Sequence, residues 1–137
     1  MQLTTLLPVF LSTLSLASAL PRRSEPATWK ASDSSINCSP GGCIAKFNIK
    51  AAKTANSPGF NVHCEGPTPN ATVCNSTDIT THVNPLGDSV WNVWVQHEWI
   101  IQPKNESDQE NWQSGNTNIT NTDPTFLITP DHFYGVA

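Results

Sequence analysis

Apolar residues recur along this chain with a period of two, not of 3.6. In "CIAKFNIKA", Ala45, Phe47, Ile49 and Ala51 alternate with Lys46, Asn48 and Lys50, the pattern of a strand with one face in a core and the other in water. "GFNVHCEG" repeats it, with Phe60, Val62 and Cys64 on one side and Asn61, His63 and Glu65 on the other. "DITTHVNPLGDS" offers a short strand through Ile79, Thr81 and Val83, closed by turn chemistry at Asn84-Pro85 and Gly87-Asp88. The strongest case is "VWNVWVQHEWI". One side carries Trp91, Val93, Val95, His97, Trp99 and, just beyond, Ile101; the other carries Val90, Asn92, Trp94, Gln96, Glu98 and Ile100. The first side is apolar save for His97, which predicts a long, half-buried antiparallel strand.

Beyond it, "QPKNESDQENWQSGNTN" reads as a polar hairpin connection, and Ile119, Phe126 with Ile128, and Phe133 with Gly135 suggest short strands near the end. Before the first clear strand, residues 20–36 hold little apolar content beyond Trp29 and Ile36. They read as a flexible tail, a short propeptide or a loosely attached first strand. Turn signals recur at short intervals and no stretch shows a helical period. The expected fold is all-β: one domain over residues 37–137, an antiparallel β-sandwich or β-barrel.

The first twenty residues change the setting. They carry no acidic residue, hold an apolar run from Leu6 to Leu16, and reach Ala17-Ser18-Ala19, the small-x-small pattern of a cleavage site. A signal peptide over residues 1–19 is expected, and with it a secreted, extracellular protein. The run is too short to cross a bilayer core of about 30 Å, so no membrane partner is expected. Arg22-Arg23, the only arginines, form a dibasic pair that suits a second trim as well as it suits a solvated tail.

Four cysteines, Cys38, Cys43, Cys64 and Cys74, then read as a staple of two disulfides and not as a metal site, since no pair has CxxC spacing. Three connectivities are open. Turn chemistry in "CSPGGC" and "EGPTPNATV" favours the local pairs, Cys38 with Cys43 and Cys64 with Cys74. Five Asn-x-Ser/Thr sequons, at Asn37, Asn70, Asn75, Asn105 and Asn118, mark positions that face solvent if they carry glycans.

Charge and motif exclude several functions. The chain is acidic, at a formal net charge of −4 with both arginines counted, and its lysines are scattered along the sequence, so nucleic acid is not an expected partner. His97, on the apolar side of its strand, is expected as a buried imidazole hydrogen-bonded to a neighbour, and Glu98 points to the opposite face. "HEWII" lacks the second histidine of a zinc-binding helix, no Gly-x-Ser-x-Gly elbow occurs, and a ribonuclease would need a cation that the mature chain offers only as lysine. No catalytic residue, cofactor or metal is therefore assigned, and a small secreted hydrolase ranks third among the functions considered. The better site is Trp94, which stands on the polar face beside Asn92 and Gln96. Its ring can stack on sugars while the amides bond hydroxyls, unless another strand covers it.

The leader, "CSPGGCIAKFNI", "SPGFNVHC" with a further cysteine at Cys74, "VWNVWVQHEW" and "FLITPDHFYGVA" together resemble fungal small secreted cysteine-containing proteins. Within these the chain is similar to the β-barrel family of the Alternaria major allergen and to hypersensitive-response-inducing secreted proteins. That resemblance implies a disulfide-bonded antiparallel β-barrel without known catalysis, at a host or cell-wall interface. Four paired cysteines leave none for the covalent dimer of the allergen branch, and a monomer is expected. The leading expectation is a non-enzymatic secreted fungal protein acting as an effector or elicitor on a host extracellular protein, and the alternative is a module that binds a cell-wall glycan.

Overall fold

The computed structural model describes residues 27–101 and 107–135. The signal-peptide and Arg22-Arg23 readings, and the sequon at Asn105, fall outside these residues. Among the described residues nine strands follow in chain order: β1 (Trp29–Ser39), β2 (Gly42–Ala51), β3 (Phe60–Pro67), β4 (Ala71–Cys74), β5 (Ile79–Gly87), β6 (Val90–Ile101), β7 (Gln109–Thr120), β8 (Phe126–Ile128) and β9 (His132–Tyr134). They form a single antiparallel sheet in the order β8-β1-β2-β3-β4-β5-β6-β7-β9. β1 to β7 are a meander in which each strand pairs with its predecessor, while β8 pairs back onto β1 and β9 onto β7. The sheet curls into a half-barrel around its apolar face. The expected all-β fold is present, as one curled sheet and not as two packed ones.

The period-two strands lie where the alternation placed them. β6 buries Trp91, Val93, Val95, His97 and Trp99 and turns Asn92, Trp94, Gln96 and Glu98 outward. Val83, Val93 and Val95 are fully enclosed, and each such side chain stabilises the fold by about 1.5–3 kcal/mol through removal from water. Phe47 meets Phe126 edge to face at 5.4 Å, which ties β2 to β8 across the interior.

Three elements differ from expectation, each for a physical reason. β1 begins at Trp29, within the segment read as a tail, a propeptide or a loosely attached first strand, and it is firmly packed. Trp29 is only 2% exposed and packs edge to face on Phe60 at 5.4 Å. Trp29 and Ala31 point inward at odd positions but Ile36 does so at an even one, because the register with β2 shifts between Ser32 and Ser35, where Asp33 adopts φ 51°. The bulge reverses the parity of the strand and so hides it from a period-two reading. β5 runs through Asn84-Pro85 to Gly87, and the turn falls at Asp88-Ser89. Proline is tolerated there because the pairing with β6 is irregular between Pro85 and Gly87.

β7 occupies most of the stretch read as a loop, paired with β6 along its whole length. Its inward positions are Asn111, Gln113, Gly115, Thr117 and Ile119, so apolar alternation is missing up to Ile119 although the first three are buried. Gly115 is required by close approach. A Cβ there would lie 2.8 Å from both Ile128 Cγ2 and the Thr129 carbonyl oxygen, where the chain leaving β8 crosses β7.

Both local disulfides are formed, Cys38–Cys43 and Cys64–Cys74. Each joins residues directly opposite one another, across β1–β2 and β3–β4, with Cα atoms 3.9 Å apart. The first closes a hairpin whose Pro40-Gly41 turn is followed by Gly42 at φ 133°, a backbone conformation open to glycine.

Candidate ligand-binding face

Because side chains alternate across a strand, the register of β5, β6, β7 and β9 determines which residues share the outer surface. Successive rows across these strands read Asn84, Asn92, Asn118; then His82, Trp94, Asn116; then Thr80, Gln96, Ser114, His132; then Glu98, Trp112, Tyr134. Trp94, Asn92 and Gln96, the residues singled out in the sequence, are together on this face. Trp94 is half-buried, and its partial cover is His82, whose ring centroid lies 5.5 Å away at 49°. Asn92 Nδ2 donates to Asn116 Oδ1 at 3.0 Å and to Asn118 Oδ1 at 2.9 Å, a fan of three amides beside the indole.

A second aromatic platform was not legible in the sequence. Trp112 and Tyr134 lie nearly parallel, 6.1 Å apart at 12°, and Tyr134 is 58% exposed. Trp112 sat in a stretch read as loop, and Tyr134 belongs to a strand of three residues, so only the pairing of β9 with β7 brings them together. Sheet geometry puts the Cα atoms of Trp94 and Trp112 about 14 Å apart, one strand across and four residues along. Between them lie Gln96 and, directly opposed to it, Ser114, which is buried beneath the surface.

The end of this face is acidic. Glu98 opposes Trp112, and Glu110 stands diagonally across from it. A hydrogen bond with Glu110 raises the Glu98 carboxyl above its ordinary range, helped by partial desolvation and by the negative charges of Glu110 and Asp78.

His97 is not on this face. It is 3% exposed, with Phe60 at 4.7 Å and Trp99 at 4.9 Å between ring centroids. Burial lowers its pKa from the usual 6.5, opposed by the charge of Asp78. The imidazole is buried as expected, but the hydrogen bond expected of it is missing at Nδ1, which has no partner among the described residues.

The other end of this outer face, over β1 to β3, carries another polar arrangement. Asn48 Nδ2 donates to Asp33 Oδ2 at 3.0 Å, which turns its Oδ1 toward His63 Nδ1 at 2.7 Å; His63 Nε2 in turn lies 3.3 Å from Glu65 Oε2. The lysines that look scattered in the sequence gather here: Lys30 on β1, Lys46 and Lys50 on β2, and Lys53 just past its end. Asn37, Asn70, Asn75 and Asn118 are all exposed, as glycan attachment requires.

Among the described residues no group of three or more His, Cys, Asp or Glu is placed to hold a metal ion, and no helix is long and apolar enough to cross a membrane. Compared with protein-family models, curated proteins and solved structures, the chain matches none.

Proposed function

We propose that this chain is a secreted, non-catalytic fungal protein that binds a cell-wall polysaccharide through the outer face of β5, β6, β7 and β9. The observation that carries the reading is the pairing of two outward aromatic platforms, Trp94 with His82 and Trp112 with Tyr134, on one face with Asn92, Gln96 and Asn116. Rings of this kind stack on the apolar faces of sugars, amides bond the hydroxyls, and platforms some 14 Å apart suit a polymer better than a single sugar. Two disulfides fit an extracellular setting. The resemblance to fungal secreted β-barrel proteins supports a host or wall interface as the place of action, where the protein serves as an effector or elicitor.

The test is retention of the oxidised, glycosylated protein on insoluble chitin, β-glucan and cellulose, none of which is a polyuronide. Retention on one polymer, lost in Trp94→Ala and Trp112→Ala proteins that still melt cooperatively, is the expected result. Failure to bind any of them, or binding that survives both substitutions, overturns the reading and leaves a host extracellular protein as the partner to seek.

A further inference from the structure

The lysine cluster on β1 and β2 lies on other strands of the outer face and is not used by the aromatic platforms of β5, β6, β7 and β9. Lys30 and Lys50 are directly opposed in the β1–β2 register and both are exposed, an arrangement that is unfavourable for like charges unless something compensates it. Glu65 directly opposes Lys46 in the β2–β3 register and bonds His63, and Asp33 accepts from Asn48, but among the described residues neither carboxylate forms an ion pair with a lysine, and none stands between Lys30 and Lys50. Lys46 projects from the same face of β2 four residues from Lys50, about 13 Å along the strand. On its other flank the Lys30–Lys50 pair borders a groove of about 280 Å³ whose remaining walls include Ser32, Thr125 and the exposed Leu127.

We propose that this groove and lysine row form a second binding site, for an acidic polysaccharide of the polyuronide class. Carboxylates of successive sugars lie against Lys30, Lys50 and Lys46, a ring packs on Leu127, and Ser32 and Thr125 meet hydroxyls. Charge density selects this polymer over the other polyanions. A nucleic-acid duplex presents a charge every 1.7 Å or so, too dense for three lysines on an acidic protein, whereas a polyuronide carries one per sugar. An anionic membrane surface attracts each lysine by about 1 kcal/mol and demands a larger basic cluster or an inserted apolar element. The site uses a different surface from the aromatic face, so either can fail without the other.

The experiment is binding of the intact oxidised protein to polygalacturonate, with fully methyl-esterified polygalacturonate, phosphatidylserine vesicles and duplex DNA as parallel probes. The expected result is binding to the free-acid polymer that weakens with salt and is absent for the ester. It falls at least about tenfold in the Lys30→Gln, Lys50→Gln double variant and is unchanged in Trp94→Ala. That double variant removes a like-charge opposition between exposed residues, so it melts no lower than the parent and unfolding does not account for the loss. Equal binding of the ester, unchanged binding by the double variant, no binding to the polyuronide, or binding confined to vesicles or DNA each overturns the proposal.

Discussion

Replacing His97 by phenylalanine makes the fold less sensitive to acid. His97 is enclosed between Phe60 and Trp99, and burial depresses its pKa from 6.5. The unfolded chain therefore takes up a proton near pH 6.5 that the folded chain refuses until the pH is lower. Above that value the imidazole is neutral in both states and its contribution is complete. As the pH falls below it, the unfolded state binds more protons and stability is lost, by at most about 1.4 kcal/mol per pH unit for one site. Phenylalanine keeps a ring between the two aromatic neighbours and removes a buried Nδ1 without a partner, whose burial costs about 1–3 kcal/mol. The slightly larger ring returns about 1 kcal/mol of that as overpacking. The assay is guanidinium unfolding of both oxidised proteins from about pH 8 to about pH 5. The variant is at least as stable at the upper end, and the gap widens in its favour below about pH 6.5. The other histidines are common to both proteins and cancel. Parallel curves, or a gap that narrows on acidification, refute the assignment of His97 as the buried acid-sensitive group.

Other outcomes follow from the packing. Trp29→Ala costs about 3–5 kcal/mol in denaturant unfolding, whereas a true tail residue there would cost nothing. Gly115→Ala forces the segment after β8 away from β7 and costs about 1–3 kcal/mol, read as a lowered melting temperature. Removing Cys64–Cys74 as the double alanine variant costs about 2.7 kcal/mol and removing Cys38–Cys43 about 2.1, from the entropy of closing loops with sequence separations of 10 and 5; a reversed order in melting experiments contradicts this. Glu110→Gln acts opposite in sign to His97. The raised Glu98 carboxyl favours the fold when protonated and loses that benefit as pH rises through its titration, so the variant gains a few tenths of a kcal/mol on the parent toward neutral pH, small because the pair is exposed.

Alternation alone made β2, β3 and β6 legible, because burying one face of a strand imposes a period of two on its own residues. It also placed Trp94, Asn92 and Gln96 on one surface and His97 on the other, as found. The disulfide pairing was favoured by turn chemistry, since a tight hairpin sets its two cysteines opposite each other. The same reading stopped at β1, where the bulge at Asp33 reverses parity, and at the first half of β7, whose inner positions Asn111, Gln113 and Gly115 are amides and a glycine shaped to fit what lies against them.

Relations between strands belong to the tertiary structure. The stacking of Trp112 on Tyr134, the pairing of Lys30 with Lys50 and the gap left at His97 Nδ1 all depend on register and on the curl of the sheet. A residue's own neighbours in the chain establish which way its side chain points. Which side chain stands beside it is decided by hydrogen bonding to a strand distant in sequence, and a shift of one residue there exchanges every neighbour.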